Sequence, residues 1–193
     1  PKKGNLMQRF FLIALIASLA ACATPDEDLS APVSPIGQFR LGHNIAIADN
    51  TARGPFSREF TEVQIEKAVQ DAVGQRLRRY DGDGLYHLGI VVGGLVLAQP
   101  GVPVIYAPSS VMIVDVTVFD NTTQKKLNDE PKRLTIGEGM GNAVPLLGSG
   151  YVRDAEQQLE NLSIGLAREI EGWLKQNPDW FAPRPGQQRL PYD

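Results

Sequence analysis

This 193-residue chain is poor in the residues that carry most protein chemistry: one cysteine, two histidines and three methionines. A single thiol cannot close a disulfide within the chain, so the fold must rest on its apolar core even in an oxidising compartment. Histidine is too sparse for a metal cage of its own. His43 and His87 stand far apart in sequence, and neither lies in a His-Glu-x-x-His pattern. Cationic excess is missing as well: 19 lysines and arginines face 22 acids, a net charge of −3. A nucleic-acid binder would show a basic patch or stripe, and none is present. The main apolar run, Phe10 to Ala20, is eleven residues broken only by Ser18. That falls short of the roughly 20 residues a spanning helix needs.

What is there begins with that run. Lys2, Lys3 and Arg9 precede it and the small residues Ala20 and Ala21 follow, the layout of a secretory signal. The ending Leu19-Ala20-Ala21-Cys22 resembles the lipobox of bacterial lipoproteins. The resemblance implies cleavage before Cys22, a diacylglyceryl thioether on its sulfur, and a further acyl chain such as palmitate on its amine. Two or more chains anchor a protein stably where one does so only reversibly. It also takes the one thiol out of catalysis and metal ligation. Ala23, rather than an aspartate, follows the cysteine; by the sorting rule of such proteins this implies the periplasmic side of the outer membrane rather than the inner membrane. Without residues 1–21 the charge is −6.

The reading divides the chain into a signal peptide (1–21), a lipidated flexible tether (22–38), an α/β domain (39–177) and a proline-rich tail (178–193). The tether has three prolines, three acids and few large apolar groups, too little to offset the entropy of ordering. In the domain, Phe39 to Ala48 reads as a strand, clearest in the alternation of Ile45 and Ile47. Thr61 with Gln64 forms a capping box. It opens a helix whose Ile65, Val69, Ala72, Val73, Leu77 and Tyr80 share a face. Tyr86 to Leu97 and Val104 to Tyr106 read as strands, and Val111 to Phe119 as the best strand in the chain. Met112, Val114, Val116 and Val118 line one side of it. Asp120-Asn121-Thr122-Thr123 reads as a hairpin turn, with return strands at Gln124–Leu127 and Leu134–Ile136. A glycine-rich loop covers 137–150. Asp154 with Gln157 opens a second helix, striped by Leu159, Leu162, Leu166, Ile170, Trp173 and Leu174 and ended by Asn177-Pro178. This order predicts an α+β fold of two layers: a mostly antiparallel sheet with both helices packed on one face. The lipobox, tether and element order together resemble small periplasmic α/β lipoproteins, including auxiliary lipoproteins of lipid-transport systems. The resemblance implies no particular functional residues beyond Cys22.

Candidate sites are few. Gly137, Gly139 and Gly141 lack the Gly-Lys-Ser/Thr of a phosphate loop, and Pro145 blocks helix entry behind them. Asp81-Gly82-Asp83-Gly84 lacks the third acid and closing glutamate of a calcium loop and reads as a turn. Ser149 has no nucleophile-elbow sequence around it. Arg76, Arg78 and Arg79 complement the C-terminal end of their helix. Trp180, Phe181, Arg184 and Arg189, on the pre-extended tail, are the candidates for docking a partner. No catalytic set, metal site or cofactor is implied. The expected function is that of a membrane-anchored, non-enzymatic accessory or binding module working with an envelope protein partner in assembly or transport. A carrier of lipid or amphiphile is the alternative, with Gly89, Gly93 and Gly94 making room beside the sheet. An envelope hydrolase stands behind both.

Overall fold

A computed structural model describes residues 29–54, 57–99, 110–137 and 154–191. The leader, Cys22, the strand expected at Val104–Tyr106 and the glycine-rich loop beyond Gly137 lie outside the described residues. The elements are β1 (Phe39–Ile47), β2 (Ala52–Arg53), α1 (Glu62–Leu77), β3 (Gly84–Val96), β4 (Val111–Asp120), β5 (Lys125–Lys126), β6 (Lys132–Gly137) and α2 (Ala155–Lys175). A short 3-10 turn, Pro178–Phe181, follows. The fold is α+β, as the element order predicts.

The two helices begin where their capping boxes place them. Thr61 Oγ1 accepts the Gln64 N–H (3.2 Å) while Gln64 Oε1 accepts the Thr61 N–H (3.0 Å). Asp154 and Gln157 do the same for α2, at 2.8 and 3.2 Å. Each such cap removes orphan donors and contributes about 1 kcal/mol.

The sheet is mixed. β3 and β4 form its centre and run antiparallel; β5 and β6 pair with β4, also antiparallel. On the other side β1 and β2 both lie parallel to β3, within a sheet that is otherwise antiparallel, as expected. A parallel neighbour needs a crossover, and α1 between β1 and β3 supplies it. Two irregularities interrupt the ladder. One, between Leu41 and Asn44 of β1, turns Ile45 and Ile47 to the face away from the helices. The other falls at Gly93, between Val92 and Gly94 of β3.

One core lies between the sheet and the helices. Met112, Val114, Val116 and Val118 of β4 are fully buried there, with Ile65, Val69, Val73 and Leu77 of α1 and Leu162, Leu166, Ile170 and Leu174 of α2. A buried amide network closes one end. Gln158 on α2 donates to Ala98 O (3.0 Å) and accepts from Ser110 Oγ (3.0 Å), which itself receives the Ala98 N–H (3.1 Å).

The tail packs within the same compact unit, Pro32–Asp193. Phe181 is fully buried, its ring edge-on to Phe39 (5.2 Å between centroids) and Tyr86 (4.9 Å). Its carbonyl receives the Gln38 N–H at 2.7 Å. Replacing a buried phenylalanine by alanine costs about 3–5 kcal/mol. Phe181→Ala should therefore lose about 3 kcal/mol in urea unfolding; a loss under about 1 kcal/mol would show that the tail does not complete the core.

Candidate interaction surface

Side chains alternate between the two faces of a strand, and the helices occupy only one face of this sheet. The other face is covered by no described helix. It holds most of the exposed large apolar side chains among the described residues: Ile45 (55 % exposed), Ile47 (44 %), Val91 (48 %) and Ile113 (37 %). Ile47 is the register neighbour of Val91, and Ile45 of Gly89. Gly89 and Gly93 lie on this face too. A side chain at Gly93 would approach only Ile113 O, at 3.9 Å. These glycines flatten the open face rather than make room beneath the helices, which removes the feature that suggested an amphiphile cavity.

Polar groups frame the apolar patch. On one side Arg133 of β6 grips Asp115 of β4 with two bonds, Nε–Oδ1 at 2.9 Å and Nη2–Oδ2 at 2.8 Å. Those bonds, helped by the Arg133 charge, hold the Asp115 carboxyl below its usual range. On another side the parallel pairing brings together the two histidines, 44 residues apart. The His43 N–H donates to His87 Nδ1 (2.9 Å), and the two rings stack at 5.2 Å. A backbone N–H can only donate, so Nδ1 is the acceptor and the proton sits on Nε2, which faces Asn121 Oδ1 at 3.0 Å. The pair braces the irregularity in β1. Among the described residues there is no cluster of three or more potential metal ligands around it.

The residues nominated from the tail are engaged with the domain itself. Phe181 is in the core; Trp180 is half-buried, edge-on to Trp173 at 5.3 Å. Arg184 reaches Asp120 Oδ2 at 2.5 Å. Asp120 is buried, which alone would raise its pKa. The Thr122 N–H, Arg184 and the Thr123 hydroxyl outweigh that and hold the carboxyl low. Arg189 pairs with Asp81, and Asp83 lies 3.8 Å from it. Asp81-Gly82-Asp83-Gly84 is thus a turn that docks the tail. At Gly82 any side chain would collide with the Gln38 backbone.

The arginines at the end of α1 divide. Arg78 is exposed, while Arg76 is buried beside Glu171 of α2, Nε–Oε2 at 2.7 Å. Glu171, itself 4 % exposed, also accepts from the Tyr80 hydroxyl and lies 3.2 Å from Lys175 and 3.7 Å from Arg79. Burial would push this carboxyl up; the bonds from Tyr80, Arg76 and Lys175 outweigh it and hold the pKa below the ordinary 4.5. The Tyr80 phenol is raised in turn, by burial first and then by its bond to Glu171.

No family model matches the chain, and no curated protein does. Among solved structures it is similar in outline to protein XCC0632 from Xanthomonas campestris, of family DUF330. The TM-score is 0.47 and the identity 11 %, covering 78 % of this chain and 91 % of that one. A candidate lipoprotein from Caulobacter crescentus gives 0.35 at 14 % identity, covering 73 % and 93 %. A minor lipoprotein from Acinetobacter baumannii gives 0.33 at 10 %, covering 72 % and 94 %. The solved neighbours thus include lipoproteins, and similarity this slight carries nothing about ligand or partner. Among the described residues no helix is long and apolar enough to cross a membrane.

The Glu171 cluster generates a pH prediction. A carboxyl whose folded pKa is depressed contributes stability above its unfolded value, and that contribution is lost as pH falls through the folded value. At neutral pH Glu171→Gln should cost about 3 kcal/mol, because Arg76 is left buried without its counter-charge. Below about pH 4.5 the gap between the variant and the unsubstituted chain should narrow in urea unfolding. A gap that stays constant down to acid pH would mean that Glu171 is not ionised in the cluster.

Proposed function

We propose that this chain is a lipid-anchored protein of the bacterial outer membrane. Its periplasmic domain is a non-enzymatic accessory module that binds another envelope protein, in assembly or transport. The observation that carries the reading is the open sheet face. Ile45, Ile47, Val91 and Ile113 are held outward on a rigid scaffold, where apolar side chains grouped together mark interaction surfaces rather than stray exposure. The lipobox at Leu19-Ala20-Ala21-Cys22 supports the anchor, and Ala23 after the cysteine supports the outer membrane. The non-enzymatic part rests on the sequence, which offers no nucleophile elbow or metal motif. The two histidines that the fold brings together serve each other and Asn121.

The test is a mild-detergent pull-down of the full-length protein from its own membranes, beside two variants. Cys22→Ala should leave the membrane fraction and lose the complex. Val91→Lys with Ile113→Lys changes only exposed positions, so it should fold with little change in stability. It should stay in the membrane and still lose the partner. If the lipidated protein comes down alone, or the lysine variant retains every partner, the binding-module reading fails.

A further inference from the structure

Beyond Phe181 the chain leaves the core and turns round the end of the sheet. Arg184 to Gln187 form a tight turn, with the Gln187 N–H bonded to Arg184 O at 3.1 Å. Gly186 takes a φ of +73° there, a conformation that favours glycine. The turn divides the tail. Before it, Arg184 is anchored on the buried Asp120. After it, none of residues 187–191 is buried. This last stretch is held at Arg189, which pairs with Asp81 beside Asp83, and at Leu190 O, which accepts from Arg40 Nη2 at 2.6 Å. Arg189, Asp81 and Asp83 are all exposed, and exposed pairs hold weakly.

The stretch reaches the open face of the sheet. Tyr86 and Leu88 of β3 point into the core, so by alternation Leu85 points to the other face, in line with Val91. Yet Leu85 is only 4 % exposed. The residues around it carry the tail. Arg40, its register neighbour on β1, is the residue that holds Leu190. Asn121, whose N–H bonds to Leu85 O at 3.0 Å on the other side, lines a cavity of about 470 Å³ together with Gln187, Gln188 and Leu190. A side chain at Gly84, next to Leu85, would meet Gln187 Nε2 at 2.8 Å. The seat has a fault: Arg40 Nε is buried with no hydrogen-bond partner, a costly state for a donor on a charged group.

We infer that residues 187–191 are a displaceable strap over one end of the open face, hinged at Gly186. Closed, the strap covers Leu85 and shortens the apolar strip. Lifted, it adds Leu85 to the strip that Val91 continues, and water reaches Arg40 Nε. Phe181 stays in the core and Arg184 stays on Asp120 in both positions, so opening breaks only the contacts of Arg189 and Leu190. On the reading of that face as a partner-binding surface, on which this inference rests, partner and strap compete for its Leu85 end. The ion pair of Arg189 with Asp81 then sets how often the longer seat is offered.

Thiol labelling tests the strap. In the full chain with Cys22→Ser, so that the introduced thiol is the only one, Leu85→Cys is reacted with a maleimide. Arg189→Glu sets like charge against Asp81 and Asp83 and should speed the reaction about fivefold. Leu88→Cys, in the main core, should keep its rate, which separates strap opening from global unfolding. Salt fixes the sign. Raising it to about 0.5 M should speed labelling of Leu85→Cys where the pair is intact, and slow it in the Arg189→Glu background, because screening weakens attraction and repulsion alike. In the membrane pull-down with Cys22 kept, Arg189→Glu should recover about threefold more of the protein that Val91→Lys with Ile113→Lys loses. An unchanged rate at Leu85→Cys, or an equal rise at Leu88→Cys, would overturn the strap and leave the binding-module reading standing. Faster labelling without a gain in recovered partner would overturn the competition. If the unsubstituted and Arg189→Glu chains both come down alone, the binding-module reading fails and the competition fails with it.

Discussion

The parallel pairing of β1 with β3 is the constraint on which the rest of this structure depends. Parallel neighbours cannot be joined by a tight turn, so the chain must cross over, and α1 makes the crossing against one face of the sheet. That choice puts β1 at an edge and brings His43 beside His87. It also fixes what the irregularity near Gly42 and His43 means. Had the ladder run on regularly from Phe39 and Leu41, the isoleucines at 45 and 47 would have faced the helices. The extra residue reverses the alternation, so Asn44 and Ala46 turn inward and the larger apolar side chains turn out.

A second constraint acts between the helices. Glu171 is buried among Arg76, Tyr80, Arg79 and Lys175. Burying a charge is costly, and a well-packed apolar substitute is often as stable. What an apolar contact could not supply is register. The carboxylate must reach both Arg76, in the last turn of α1, and Tyr80, just beyond its end, and only one placement of α2 along α1 satisfies both. The cluster therefore locks the relative slide of two helices whose apolar stripes, mainly leucine and valine, would tolerate several.

Much of the fold was legible in the sequence because its signals are local. The capping boxes at Thr61 and Asp154 and the alternation from Met112 to Val118 depend on neighbours within one or two turns, and each element formed where they indicated. The turn at Asp120 was legible for the same reason: its carboxylate accepts from residues two and three positions on. The parallel partner of β1 was not, since alternation says which face a side chain takes and not which strand lies alongside. The strand–helix–strand order held a hint of it. Gln158 and Glu171 sit among apolar helix positions and gave no sign that they would be buried, because their partners are distant in sequence: Ala98 and Ser110, Arg76 and Tyr80. The two-layer reading left one sheet face open, but that Ile45 and Ile47 lie on it escaped notice for a related reason. An isoleucine in an alternating strand reads as core unless the bulge beside it is seen.

The tail shows how the same blindness to distant partners misdirects a search for function. Aromatics and arginines on a proline-rich terminus have the composition of a docking peptide, and in this chain their partners are internal. Phe181 fills the space between Phe39 and Tyr86, and Arg184 neutralises an aspartate too buried to stand alone. Each contact crosses the same end of the sheet, where β1 and β3 begin and β4 stops, so the tail closes the one end of the core that the helices leave open. Once those groups are accounted for, the apolar surface still to be explained lies on the sheet face away from the helices, where Ile45, Ile47, Val91 and Ile113 stand exposed among the described residues, so a search for partners belongs on that face and not on the tail.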